Sequence, residues 1–257
     1  METVTHHGRA ITYMVSDRGG SGPTLLCVHG TGGNRAVWKS QARLSDRVPV
    51  TALDLSGHGD ADDIDADPGY STLSAYADDV LAVADAVDAD VLVGSSLGGA
   101  VALHVAIERE HGLSGLVLAG TGPRLPVLSD LLDWLDDDFE RVISFLHEPG
   151  RFFTDPDDRT VERSMQAMRE CGRDVVRRDF RTCHQFDVED RLDEVTIPTL
   201  AIVGEDDRLT PPWYHEALAE GIPDCDLVTI DDAAHLAMLD RPEAFNEAIT
   251  SFVDEID

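Results

Sequence analysis

The 257-residue chain predicts an α/β fold: a mostly parallel central sheet, helices on both faces, and a helical insertion in its second half. Three observations carry this. Short continuous apolar runs recur at residues 24–28, 91–93 and 199–203, which is how strands buried on both faces read. Segments of helical periodicity stand between them, and strands alternating with helices give a parallel sheet covered on two sides. From about Leu125 to Val195 the strand runs disappear and helical segments rich in aromatics take over.

In chain order, residues 9–16 alternate as a strand that pairs with residues 2–6 in an edge hairpin. Residues 17–23 carry turn chemistry. The run 24–28 is a buried strand ending at His29-Gly30-Thr31-Gly32-Gly33, after which Asn34 caps a helix whose apolar face holds Ala36, Val37, Trp38 and Leu44. Residues 48–53 form the next strand and end in Asp54-Leu55-Ser56-Gly57-His58-Gly59. Thr72 opens an amphipathic helix with Leu73, Tyr76, Val80, Leu81, Val83, Ala84 and Val87 along one stripe. A strand at 91–95, a helix through Arg109 and a strand at 113–118 follow. The insertion then reads as helices over 130–146 and 159–180, carrying Trp134, Phe139, Phe145, Phe152 and Phe153. Strands at 199–203 and 227–230 return to the sheet. Asp240-Arg241-Pro242-Glu243 has the form of a capping box and opens a last helix through Ile256. The division is a core of residues 1–122 and 196–257 with a lid at 123–195.

Composition narrows the setting. At 42% hydrophobic the chain has apolar mass for a large core. No run approaches the roughly 18 apolar residues that span a bilayer. Residues 1–7 have neither a basic nor an apolar signal region, so cytoplasmic residence is expected. Fifty acidic residues face twenty basic ones, for a net charge of −30, and Lys39 is the single lysine. That charge argues against nucleic acid and anionic membrane as partners. It is spread along well-patterned elements, which argues against disorder. Cys27, Cys171, Cys183 and Cys225 form no Cys-x-x-Cys pair and no His cluster, and read as reduced thiols with no metal site.

The chemistry centres on Gly94-Ser95-Ser96-Leu97-Gly98. Strand, Gly-x-Ser-x-Gly turn and helix in that order form a nucleophile elbow, with Ser96 as the candidate nucleophile and Ser95 as filler. A serine hydroxyl needs a base to take its proton and an acid to orient that base. Both have to come from loops at the carboxyl ends of strands. Gly204-Glu205-Asp206-Asp207-Arg208-Leu209-Thr210-Pro211 follows the strand at 199–203, and Ala233-Ala234-His235 follows the strand at 227–230. An oxyanion needs two N–H donors about 3 Å away, and the Leu97 amide is one.

With these residues in hand, the chain resembles the α/β-hydrolase superfamily over nearly its whole length. The resemblance rests on His29-Gly30-Thr31-Gly32-Gly33, Asp54-Leu55-Ser56-Gly57-His58-Gly59, the Ser96 elbow, Gly204 to Pro211, and Ala233-Ala234-His235 followed by Pro242-Glu243-Ala244-Phe245. It implies Ser96 as nucleophile, His235 as base and then acid, Asp207 rather than Asp206 as the orienting carboxylate, and the Thr31 amide as the second oxyanion donor. His29 and His58 are then structural, and Asp54 orients a loop. The implied activity is hydrolysis of carboxylic esters of small to medium acyl size through an acyl-enzyme, with no metal or organic cofactor. Enol-lactonases, carbon–carbon bond hydrolases and non-haem haloperoxidases share these motifs and stand as alternatives, and a non-catalytic small-molecule binding protein is a remoter one. Ser96 argues against dehalogenation, which needs an aspartate there. Trp38, Trp134, Phe153 and Trp213 are the candidate substrate contacts, a small molecule is the expected partner, and the chain is a monomer or homodimer.

Two features lie outside the motifs. Arg169, Arg173, Arg177 and Arg181, with Arg178 beside them, recur at helical spacing and would make one basic stripe, with Gly172 as a point of interruption. They read either as partners of nearby carboxylates or as a dock for an anionic substrate group. The charge itself reads as adaptation to molar salt, because screening falls from about 10 Å at 0.1 M to about 3 Å at 1 M and relieves self-repulsion. Thermal unfolding should therefore show a midpoint that rises by many degrees between 0.1 M and 2 M KCl. A flat or falling midpoint contradicts this reading.

Overall fold

The computed structural model describes residues 1–256. Eight strands form one sheet in the order β1-β2-β4-β3-β5-β6-β7-β8. β1 (Glu2–His6) and β2 (Arg9–Ser16) form the antiparallel edge hairpin, and β2 runs antiparallel to β4 (Val50–Leu53). All other neighbours are parallel: β3 (Leu25–Val28), β5 (Val91–Ser95), β6 (Gly115–Ala119), β7 (Thr199–Gly204) and β8 (Cys225–Ile230). The carboxyl ends of β3, β5, β6, β7 and β8 therefore open on one edge, where loops converge.

The period-two rule explains why the inner strands are apolar throughout. Leu26, Val28 and Leu92 face one side of the sheet, where α1 (Tyr70–Val87) and α2 (Leu97–Glu108) pack. Leu25, Cys27, Val91 and Val93 face the other, against α9 (Pro242–Ile256) through Phe245, Ile249, Phe252 and Val253. Each side chain is sealed on its own side, so alternation gives no polar positions. Along α1, Leu73, Tyr76, Ala77, Val80, Val83 and Ala84 are buried at helical spacing. α2 is buried on every side from Leu97 to Val105, which puts the middle of the core directly behind the elbow. Two short helices complete the core, α7 (Pro212–Gly221) and α8 (Ala237–Asp240).

Between β6 and β7 come four helices: α3 (Ser129–Asp137), α4 (Phe139–Leu146), α5 (Asp158–Cys171) and α6 (Arg173–Gln185). Leu135, Val142, Ile143, Leu146, Phe153 and Met168 give them a small core of their own. A buried polar lock ties α6 to the main body. Asp179 accepts hydrogen bonds from His58 Nε2 at 2.9 Å and Tyr76 Oη at 2.7 Å. Burial opposes charge on His58, but the Asp179 carboxylate outweighs it and holds the imidazole well above its usual pKa.

Several boundaries differ from the sequence reading, each for a local reason. The helix expected over 130–146 is two, because Asp138 leaves helical geometry and its side chain caps α4 by accepting from the Arg141 amide. The helix expected over 159–180 breaks at Gly172, which sits at φ 88°. The segment after Asn34 is two 3-10 turns, Arg35–Trp38 and Gln41–Asp46, although Asn34 does cap the first. α1 begins at Tyr70 rather than Thr72. Asp240 makes no capping box. Its carboxylate instead accepts from the amides of Thr154 and Ala234 and so joins the insertion to the His235 loop. All four cysteines are free thiols. No described helix is long and apolar enough to cross a membrane, and no three described His, Cys, Asp or Glu residues group as a metal site.

Candidate active site

Ser96 occupies the turn between β5 and α2 at φ 55°, ψ −117°, a region an L-residue enters only when its surroundings force it. The turn is clamped from both sides. The Ser96 amide donates to the Ala119 carbonyl at 2.9 Å, and the Ser96 carbonyl accepts from the Thr121 hydroxyl at 3.0 Å. The close packing requires glycine at Gly98, where a Cβ would meet the His29 carbonyl at 2.7 Å. Ser95 turns into the core at 1% exposure, while Ser96 is partly open.

Asp207 and His235 arrive from the ends of β7 and β8. His235 Nδ1 and Asp207 Oδ2 are 2.9 Å apart, and both residues are buried. Asp207 is thoroughly satisfied. Its Oδ1 accepts from the Leu209 and Thr210 amides at 2.8 and 2.9 Å, and its Oδ2 accepts from the Thr210 hydroxyl at 2.8 Å. Burial raises the carboxyl pKa, but His235 and these donors more than offset it, so the group lies below the ordinary aspartate value and stays ionised. The neighbouring Asp206 is exposed and contributes its amide to the Ala233 carbonyl.

The insertion reaches over to hold the histidine. The His235 amide donates to the Arg151 carbonyl at 3.1 Å, and the Leu236 amide to the Phe152 carbonyl at 2.9 Å. The Phe152 ring stacks on His235 with centroids 5.9 Å apart and planes at 14°. Ser96 Oγ and His235 do not hydrogen-bond directly in this state, though both line one cavity of about 800 Å³. Such bonds often tighten only when substrate is bound.

Thr31 lines the same cavity, and the adjoining Gly30 is so close that a Cβ there would lie 3.0 Å from the Ser96 Cβ. Among the described residues neither the Thr31 nor the Leu97 amide has a protein acceptor. Leu97 is the first residue of α2, whose dipole favours negative charge at that end. His29 and His58 are buried in loop support. His29 Nε2 accepts from the Leu55 amide at 3.1 Å, and burial with His58 beside it lowers its pKa to about 3. Asp54 binds Arg35 and accepts from the Asp60 amide.

Of the four expected substrate contacts, the structure brings one to the cavity: Trp213, 62% exposed on its rim. Trp38 is 1% exposed and packed on Phe245 in the core, since its 3-10 turn faces the sheet. Trp134 packs edge-on to Phe145 beneath the Arg141 guanidinium, and Phe153 is sealed in the small core of the insertion. Phe145, Phe152, Met168 and Phe180 supply the apolar wall instead. The arginines 169–181 do not form one stripe, because Gly172 divides them between two helices. Arg169 pairs with Glu140, Arg177 and Arg181 with Asp136, and Arg178 with Asp63.

Sequence reasoning gave no role to Thr210, which lies within hydrogen-bonding distance of both Asp207 and His235. It stood within a recognised motif, so its place was visible but its function was not. His215 was also missed. It is buried, and burial lowers its pKa to about 4, so as a neutral acceptor it takes the Thr121 amide at 3.1 Å and steadies the residue that clamps Ser96.

Comparison with known proteins bears on the family and the fold. The alpha/beta hydrolase family matches residues 25–248. A pimeloyl-[acyl-carrier protein] methyl ester esterase of Neisseria meningitidis serogroup B is 30% identical over 244 residues, covering 90% of this chain and 92% of its own. A 3-oxoadipate enol-lactonase of Acinetobacter baylyi is 24% identical, covering 91% and 90%. Among solved structures, a thermophilic esterase from Thermogutta terrifontis superposes with a TM-score of 0.83 at 27% identity, covering 99% of this chain and 98% of its own.

The two aspartates should separate in reactivity. Asp207→Asn should slow reaction of the protein with an organophosphonate by about 10³-fold or more, since the histidine loses its orienting charge. Asp206→Asn should leave the rate essentially unchanged. Equal effects from the two substitutions would contradict the geometry's choice of Asp207.

Proposed function

This chain belongs to the alpha/beta hydrolase family, and we propose that within it the protein is a serine esterase acting on carboxylic esters of small to medium acyl size. The observation that carries the reading is the Asp207–His235 hydrogen bond of 2.9 Å placed beside an elbow serine in one largely apolar cavity. His235 takes the Ser96 proton as Oγ attacks the ester carbonyl. The amides of Leu97 and Thr31 hold the oxyanion of the tetrahedral intermediate, and donors of this kind are each worth about 10²–10³ in kcat. The intermediate collapses, His235 returns the proton to the leaving alcohol, and the acyl group stays on Ser96. Water, deprotonated by His235, then attacks the acyl carbon, the bond to Ser96 Oγ breaks, His235 returns the proton to Oγ, and the acid leaves. Asp207 stays ionised throughout and stabilises the imidazolium. A cavity of about 800 Å³ is of the size that encloses a small organic molecule, and its apolar wall suits an acyl chain.

A second reading, a lactonase, uses the same steps on a cyclic ester. The similarity to an enol-lactonase over most of both chains favours keeping it in view. The two separate by assay. With 4-nitrophenyl esters of two to eight carbons, turnover should pass through an optimum at short or middle length, and Ser96→Ala should lower kcat by about 10⁶-fold. Turnover of lactones but not of open-chain esters would support the second reading. No turnover of either by folded protein would contradict both.

A further inference from the structure

The charge of the cavity is the inverse of the charge of the chain. Fifty acidic residues oppose twenty basic ones overall, yet the cavity wall carries Lys39, Arg163 and Arg208 against one carboxylate, Glu170. Glu170 is engaged, accepting from Gln166 Nε2 at 2.8 Å. None of the three cations has a side-chain hydrogen bond or an ion pair among the described residues, while most of the arginines elsewhere do, including all five in the 169–181 segment. All three are exposed. In a protein with so many carboxylates, three cations without an ion pair on the wall of a largely apolar cavity are the feature that needs explaining.

Each is presented by a different element. Lys39 closes the first 3-10 turn and stands near enough to Asp157, the cap of α5, to add to the lowering of that carboxyl's pKa that its bonds with Thr160 chiefly cause. Arg163 projects from α5 itself. Arg208 directly follows Asp207, and its guanidinium lies over Gly150, where a Cβ would meet Nε at 3.0 Å. Gly150 has φ 76°, so the backbone there favours glycine, and a side chain at that position would crowd the guanidinium.

We propose that Lys39, Arg163 and Arg208 select esters that carry a second, anionic group, a carboxylate, remote from the scissile bond. This deepens the esterase reading and rests on it. A free carboxylate approaching a −30 protein is repelled at long range, so its recognition has to be local. Charge-assisted hydrogen bonds from exposed guanidinium and ammonium groups act at contact distance and survive salt better than the long-range field does. The apolar wall receives the chain between the two ends, and the cations meet the far end.

The test compares 4-nitrophenyl hexanoate with the mono-4-nitrophenyl ester of adipic acid, which replaces the terminal methyl by a carboxylate. A second pair, phenyl hexanoate and 3-carboxyphenyl hexanoate, moves the carboxylate to the leaving group. Wild type, Lys39→Gln/Arg163→Gln and the triple variant with Arg208→Gln are assayed at one salt concentration, with thermal unfolding as the check on folding. In at least one pair, the wild-type kcat/KM for the carboxylated ester should equal or exceed that for the neutral one. The triple variant should lower that ratio by about 10-fold, chiefly through KM, as expected for partly solvated charge contacts. The double variant gives a smaller fall in the same direction and serves if loss of Arg208 disturbs the loop. Unchanged ratios in both pairs, or a wild type that rejects both carboxylated esters while hydrolysing the neutral ones, would overturn the proposal. Failure of wild type to hydrolyse any of the four would overturn the esterase reading itself.

Discussion

The structure depends on one local constraint: Ser96 is held at positive φ at the junction of β5 and α2. Such a residue costs of the order of 1–3 kcal/mol and persists only where its surroundings over-determine it. Here they do. The Ser96 amide is tied to Ala119 and its carbonyl to the Thr121 hydroxyl and the amides of Gly99 and Ala100. Thr121 is in turn held by a neutral His215. The β3 loop presses so closely on the elbow that residue 98 has no room for a side chain and residue 30 has little. The parallel order of β3, β5, β6 and β7 puts all these partners at one edge, and strain at the serine is supported by strands that are themselves fully buried.

The insertion completes the site as well as covering it. It gives no side-chain hydrogen bond to the Asp207–His235 pair, but it fixes the histidine through two backbone bonds and the stacked Phe152 ring. Asp240 bridges the amides of Thr154 and Ala234, which ties the insertion to the His235 loop. At its other end, Asp179 binds His58 and Tyr76 in the main body without exposure to solvent. Breaking such a buried partnership from one side is costly, because it strands charge away from water. The helices over the cavity are thus anchored on both flanks of the serine.

Much of this was legible before any coordinates. The strands and the Gly-x-Ser-x-Gly turn between strand and helix follow from apolar runs, spacing and chain order, because local geometry dictates them. The preference for Asp207 over Asp206 and the supporting role of His29 rest on the family resemblance alone, and the structure sets Asp207, not Asp206, against His235. Three of the four expected aromatic contacts, Trp38, Trp134 and Phe153, lie away from the cavity for a different reason. Trp38 and Phe153 are as apolar as Phe152, and hydrophobicity states that a ring is buried without stating against what. Which ring faces the cavity depends on the crossing of α3 to α6, set by the breaks at Asp138 and Gly172. Gly172 was visible as an interruption, whereas Asp138 looked like one acidic residue in a run of three. The arginines show the same limit. Periodicity singled out those at 169–181, which the fold pairs with carboxylates, while the unpaired cations at 39, 163 and 208 share no spacing and reach the wall of one cavity only in the fold.

The measurement that tests the account most directly is capture of the acyl-enzyme. Protein mixed with a 4-nitrophenyl ester is quenched in acid within the first turnovers and digested, and the acyl group is located by peptide mass. The account predicts a single acylated site, Ser96, with a matching burst of nitrophenol, and neither in Ser96→Ala. Steady hydrolysis with no burst and an unmodified Ser96, or an acyl group carried on another residue, would contradict it.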